Sequence, residues 1–352
     1  MKKRILCITL VFILVSMSLL GCSSSSNGNN STPTEETKSE LVTLKFALTV
    51  PSTHPYSIAS QNFAKLVEEK SNGSMKIELY YDGALGGDAD LLEAMQLNAV
   101  QFALMGPAGV ESLNRMYNFF DLPGLFANKD AAYAFQEAEP VKNLLASLAS
   151  SGIRGLGFYE NGYYGISNNK KPITKVADLN KMSMRSMTSD IAIESWKCLN
   201  VQPVSMPFGE LFLALQQGVV DGQETTIGSF YSSKFYEVQK HLTMSNRIFH
   251  VMTFLMSNQA WDALSDDQQN IIMESVEESK KGHKEYMVTF NNDAIQDMVS
   301  NYGLIFTESL DDGEFEKMRE MSQPIYDMVR KLDPNIFDEL MKAADETNAQ
   351  YK

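Results

Sequence analysis

The side chains that carry chemistry are sparse in this 352-residue chain. The four histidines are His54, His241, His250 and His283. No two are spaced as His-x-x-x-His, so no helix face offers the pair that holds zinc in a metallopeptidase. No Gly-x-Ser-x-Gly run is present to raise a nucleophilic serine on a strained turn. Gly155 and Gly157 begin a dinucleotide-binding pattern, but Glu160 stands where its third glycine belongs. Asp82 to Glu93 has the length of a calcium loop, with Gly87 and Glu93 in place. Ala84 and Gly86 supply no side-chain oxygen, so the segment reads as a Gly-rich turn. Cys198 falls in a helical stretch and reads as a small core residue rather than a nucleophile. No catalytic residue, metal or cofactor is expected.

One basic residue stands out by context. Lys181-Met-Ser-Met-Arg185-Ser-Met is a strand-like run that sets an arginine among methionines. An arginine pointing inward there needs an anion, and its planar fork matches a carboxylate through two parallel hydrogen bonds. The same run also allows Arg185 to face solvent or to pair with an internal acid. Phe208, Tyr159, Tyr163 and Tyr164 cluster near turns beside it, where core packing is the commoner fate of aromatics.

These residues are positioned by alternating strands and helices. Val42, Leu44, Phe46 and Leu48 alternate with polar residues, as a half-buried strand requires. A helix over 57–69 follows, stopped by Ser71-Asn72-Gly73-Ser74. Strands are expected at 75–81 and 100–105, with a helix at 89–97 between them. A second set begins near Gly162, with strands at 163–167, 182–186 and 201–206 and helices at 191–199 and 210–217. Residues 247–256 turn apolar and β-branched again. Strand-helix-strand order argues for a mainly parallel α/β sheet. Ser265-Asp266-Asp267 then opens a helix by capping and by acids in its first turn. It can run to Tyr302, stopped by Gly303, with Tyr286, Phe290, Ala294, Met298 and Tyr302 as its apolar stripe. Thirty-eight residues at 1.5 Å each span about 57 Å, longer than one small domain.

The N-terminus reads as an address. Met1-Lys-Lys-Arg4 precedes an uncharged apolar run from Ile5 to Leu20, too short for a comfortable membrane span. The run ends Leu19-Leu20-Gly21-Cys22, which resembles a bacterial lipobox, where the cysteine becomes lipid-modified. Residues 1–21 are expected to be a signal peptide and residues 22–40 a Ser/Asn/Thr-rich flexible tether. The whole chain has charge -14; losing Lys2, Lys3 and Arg4 leaves 27 basic against 44 acidic residues, or -17. Such an acidic body argues against nucleic-acid binding. Cys7 leaves with the signal and Cys22 carries lipid, so Cys198 stands alone and no internal disulfide is possible.

From Gly155 to Tyr236 the chain resembles the solute-binding proteins of TRAP transporters, the DctP family. The resemblance is carried by Gly-Leu-Gly-Phe-Tyr-Glu-Asn-Gly at 155–162, Met184-Arg185-Ser186-Met187 and Pro207-Phe208-Gly209-Glu210. Ala214-Leu-Gln-Gln-Gly-Val-Val-Asp-Gly-Gln-Glu224 and Tyr231-Ser-Ser-Lys-Phe-Tyr-Glu-Val-Gln239 continue it. Thr53-His54-Pro55, Leu85-Gly-Gly-Asp88, Leu91-Leu92-Glu93 and Phe120-Asp-Leu-Pro123 extend it over nearly all of 41–308. It implies a two-lobed periplasmic-binding-protein-like α/β fold, with crossing strands and a long lobe-spanning helix. Lobe I would hold 41–162 plus 251–290, and lobe II 163–250 plus 291–352.

It also implies an organic acid in the cleft. Arg185 matches the selectivity arginine that grips the ligand carboxylate, and Phe208 an aromatic that packs under the ligand. Thr225 stands where the family often has a ligand-binding Asn, and Tyr164 replaces a second Arg. Glu160 and His54 complete the candidate set. Without the second arginine, a monocarboxylate of hydroxyl or aromatic character is expected over a C4-dicarboxylate, unless a loop near Pro107 or His54 supplies the contact. The implied partners are the small organic acid, the small and large membrane subunits of a TRAP permease, and the membrane through the Cys22 lipid. The alternative is a ligand sensor signalling to a membrane receptor kinase.

Overall fold

The computed structural model describes residues 41–351. The expected signal peptide, tether and lipid-bearing Cys22 lie outside the described residues. Among the described residues nine strands form one sheet: β1 Val42–Ala47, β2 Met75–Tyr80, β3 Phe102–Met105, β4 Ile153–Asn168, β5 Ser183–Ser186, β6 Gln202–Ser205, β7 Gly222–Thr226, β8 His241–Ser257 and β9 Ile305–Thr307. Their order is β2-β1-β3-β8-β4-β7-β5-β6, with β9 beside β8. β1 pairs parallel with β2 and β3, and β5 pairs parallel with β6 and β7. Two parallel groups are thus joined through the antiparallel pair β4 and β8, 16 and 17 residues long.

Each group buries apolar residues on both sheet faces, as parallel sheets must. Four core clusters result. Two gather side chains of the first group, one around Phe46, Phe63 and Phe254 and one around Phe119, Phe120 and Phe158. Two gather the second, around Phe230 and Phe235 and around Trp196 and Met184. The two-lobed α/β architecture implied by the resemblance is therefore the observed one.

The long helix runs Asp266–Tyr302. Ser265 accepts from the Gln268 N–H while the Gln268 side chain accepts from Ser265, a reciprocal capping box. Gly303 closes the helix at φ +70°, in the left-handed region that only glycine enters freely. Ile272 and Val276 enter a first-lobe core; Ala294 and Met298 enter a second-lobe core. The helix therefore bridges the lobes. Its buried face differs from the expected stripe: Tyr286 and Tyr302 are exposed, and Ser279, His283 and Met287 are buried instead. They face β4, a polar neighbour that helical periodicity cannot show.

Two further expectations are corrected. Strand 163–167 is the last third of β4, which begins at Ile153. Its register shifts at Gly155/Gly157, Glu160/Gly162 and Tyr163/Gly165, and each bulge breaks the alternation that marks a strand. The C-terminal residues assigned to lobe II also divide differently. Ile325, Val329, Phe337, Leu340 and Ala344 lie in the first-lobe cluster with Phe119 and Phe135, so the last two helices cover lobe I. An amphipathic pattern shows that a face is buried, not what it is buried against. Cys198 caps the helix Asp190–Lys197 and is half-buried against a first-lobe core. No described helix is long and apolar enough to cross a membrane.

Candidate functional site

In open α/β sheets a ligand sits in the crevice beyond the carboxyl ends of parallel strands. Here β1 leads to Thr49–His54, β3 to Gly106-Pro107, β5 ends at Arg185-Ser186, β6 leads to Met206–Phe208 and β7 ends at Thr225-Thr226. Most of the chemically notable residues converge on that one crevice.

Arg185 is buried, at 8% exposure. Its Nε and Nη2 both donate to the Met206 carbonyl at 3.2 Å. Its guanidinium lies 5.9 Å from the Phe208 ring centre. Among the described residues it forms no salt bridge; the pairs within 4.0 Å involve other cations. Burial lowers its pKa, opposed by Tyr164, Asp88 and Glu224 nearby. One Nη2–H and both Nη1–H remain, an end-on fork suited to two carboxylate oxygens. Phe208 is half-buried and touches cores of both lobes, which places it at their junction.

Tyr164 is buried and stacks on His250, with ring centres 5.0 Å apart at 23°. Its hydroxyl points to the Met187 sulfur at 3.9 Å. Thr225 is buried opposite Gly165 in the β4–β7 ladder, and its hydroxyl has no hydrogen-bond partner among the described residues.

His54 is fully buried and caps the helix Pro55–Lys70, its Nδ1 accepting from the Tyr56 N–H at 3.2 Å. Its Nε2 contacts Ser229 Oγ at 3.0 Å. Ser229 contacts Thr226 at 3.2 Å, Thr226 donates to Asn161 Oδ1 at 3.1 Å, and Asn161 Nδ2 meets His250 Nδ1 at 3.2 Å. The structure thus makes His54 one end of a buried polar chain, not an open side chain of the crevice. Burial depresses both imidazoles: His54 falls well below its ordinary value and His250 to about 3, the latter helped by the Arg185 charge.

Glu160 lies elsewhere. Its carboxylate accepts from the Tyr133 hydroxyl, its carbonyl takes a 2.6 Å hydrogen bond from His283 Nε2, and burial raises its pKa against the pull of Lys129 and Lys284. It borders a separate pocket with Lys129, Tyr163, Phe249, Met287 and Asn291. The bulges in β4 set Tyr163 against Phe249 and Tyr164 against His250.

Four residues with no assigned role in the sequence reading prove central. Arg247 is 2% exposed and grips Glu224: Nε donates to Oε2 at 2.7 Å and Nη2 to Oε1. Its Nη1 donates to Ser195 at 2.6 Å, and Trp196 lies under it at 4.8 Å. Beside this pair sits Asp121, 2% exposed, with neither carboxylate oxygen hydrogen-bonded. Burial first, then Glu224 and Glu111, push its pKa up to about 8 against the pull of Arg247. Asn161 and His250 complete the polar chain. Asn161 and Asp121 carried a signal, as parts of the Glu-Asn-Gly and Phe-Asp-Leu-Pro runs.

The lobes also meet at the crevice rim, where Ser189 Oγ lies 3.0 Å from Glu111 Oε2 and 3.3 Å from Asn118 Oδ1. The sequence model of the family described as bacterial extracellular solute-binding protein, family 7 (DctP) matches residues 46–332. The C4-dicarboxylate-binding protein DctB of Bacillus subtilis is 28% identical over 345 residues, 97% of either chain. The sugar acid binding protein DctPAm of Advenella mimigardefordensis, solved with galactonate, superposes with a TM-score of 0.83 at 31% identity, covering 88% of this chain and 99% of that one. A TRAP periplasmic solute-binding protein of Shewanella oneidensis, with bound succinate, gives 0.82 at 29% identity over the same shares.

Proposed function

The chain belongs to bacterial extracellular solute-binding protein family 7, and from that membership we propose how it works and which acid it prefers. It is an extracytoplasmic solute-binding receptor of the TRAP type, and its ligand class is the small carboxylates and sugar acids bound by its relatives. The family is one of receptors, not enzymes. The sensor-kinase reading draws no support from these relatives.

One observation carries the proposal: Arg185 is buried at the carboxyl end of β5 with no acid within 4.0 Å, Asp88 and Glu224 acting on it only from farther away. A buried cation is costly unless paired, and a ligand carboxylate on the free end of its fork would provide the pair. Phe208 packs beneath, and the Thr225 hydroxyl is free to reach a ligand oxygen. Tyr164 stands where a second arginine would read a second charge. The preferred ligand is therefore a monocarboxylate. A ligand held from both lobes favours their closed arrangement by its differential contacts, and that arrangement would present it to the two-subunit permease. His54 supports the site through its polar chain, and Glu160 through the Tyr133 contact at the crossing strands.

Calorimetry on the intact protein tests this. Arg185→Ala should cost about 2–5 kcal/mol of affinity for a monocarboxylate, much of it from the unpaired ligand charge. Affinity within twofold of the unchanged protein would remove the role from Arg185. Succinate or malate outcompeting monocarboxylates would overturn the preference. Lipid attachment at Cys22, suggested by the Leu-Leu-Gly-Cys run, would be contradicted if Cys22→Ala stayed with the membrane fraction.

A further inference from the structure

The polar chain at the crossing strands has a direction, and that direction ends in the crevice. The Tyr56 N–H is a donor, so His54 Nδ1 must accept and its proton must sit on Nε2, which donates to Ser229. Thr226 has one hydroxyl hydrogen, and Asn161 Oδ1 takes it. Thr226 also faces Ser229 Oγ at 3.2 Å and accepts from the Ser229 N–H. With Oδ1 accepting, Asn161 turns Nδ2 to His250, so His250 Nδ1 is an acceptor. The last proton therefore sits on His250 Nε2.

That Nε2 is buried and has no hydrogen-bond partner among the described residues, and His250 is 5% exposed. A buried unpaired N–H is costly, and such groups call for an explanation. Its edge lies over Gly106, just beyond β3, where an added Cβ would come within 2.8 Å of Nε2. Glycine there lets the donor sit at the carboxyl end of the first-lobe strands. Arg185 occupies the matching end of the second-lobe strands, and Tyr164 stacks on His250 while reaching toward Met187 two residues past Arg185.

We propose that His250 is a specificity-determining second donor of the crevice, a neutral imidazole whose Nε2–H is oriented by the chain from His54 and reads a hydroxyl or keto oxygen on a monocarboxylate. This rests on the Arg185 reading above and adds what the rest of the ligand must be. A neutral donor rewards an acceptor oxygen without neutralising a second carboxylate. A site built around a hydrogen bond discriminates strongly against the analogue that cannot make it.

The test uses D-galactonate, hexanoate and succinate as probes, with calorimetry and 15N NMR of histidine-labelled protein. Galactonate should bind at least about tenfold tighter than hexanoate. His250→Phe should bring the two within about threefold, with hexanoate little changed. Free His250 should show a protonated Nε2 and an unprotonated Nδ1, with the Nε2–H signal moving on addition of galactonate. Asn161→Asp presents an acceptor to Nδ1, so it should move the proton there and abolish the preference for galactonate. This variant and the NMR readout stand even if His250→Phe fails to fold. A retained galactonate preference in Asn161→Asp or in folded His250→Phe, or an unprotonated Nε2 in the unchanged protein, would overturn the His250 proposal alone. If neither monocarboxylate bound, or if Arg185→Ala left both affinities intact, the carboxylate reading would fail and this one with it.

Discussion

Two buried arginines sit in opposite surroundings. Arg247, on crossing strand β8, spends its donors inside the protein: a two-pronged pair with Glu224, a bond to Ser195 and the face of Trp196. Arg185, at the end of β5, is buried almost as deeply but has only a main-chain carbonyl and the Phe208 ring. Burial alone does not separate them. What separates them is contact: Glu224 grips Arg247 directly, whereas Asp88 and Glu224 act on Arg185 only from beyond 4.0 Å.

The contrast breaks most visibly at Arg247. Arg247→Ala leaves Glu224 buried and unpaired, a loss of about 3–5 kcal/mol for such pairs. The melting temperature should drop by roughly 5–8 °C, at about 1.5 °C per kcal/mol for a chain of this size. A change below about 1 kcal/mol would show that the pair is not what holds this region.

Asp121 gives the next effect, and it depends on pH. Its carboxyl is raised from 3.8 to about 8 in the folded protein. Between those values the native state holds a proton that the unfolded chain has lost, so stability falls as pH rises through that window. Asp121→Asn removes the dependence. Its stabilisation should be small near pH 4 and several degrees near pH 8 in thermal scans. A gain of equal size at both pH values would mean that Asp121 is ionised throughout.

The smallest effect is expected at Arg185. Removing an unpaired buried cation costs the fold little, so Arg185→Leu should leave the ligand-free stability within about 1 kcal/mol or raise it. A loss as large as that of Arg247→Ala would erase the distinction between the two arginines.

Local signals in the sequence carried the reading of most elements. Ser265, Gln268 and Gly303 mark the ends of the long helix because capping involves residues three or four positions apart. β1 shows by its alternation and β3 as a short apolar run. β4 was legible only in part, because its bulges at Gly157, Gly162 and Gly165 interrupt the period that defines a strand. Arg185 is conspicuous in the sequence because a lone cation among methionines is chemically odd. Arg247 is not, since Glu224 lies 23 residues away and Ser195 lies 52. Glu160 and His54 stand out by their runs, yet the fold gives their polar groups to Tyr133, Tyr56 and Ser229.

By itself the sequence determined the α/β class, the spanning helix and the arginine able to grip a carboxylate. Those follow from periodicity, capping and residue type, which act over a few neighbours. The tertiary structure decided which arginine has an acid in contact, where the last helices pack and which groups the polar chain from His54 to His250 joins. Each of these depends on groups brought together from distant parts of the chain, and a hydrogen bond or ion pair exists only at contact distance.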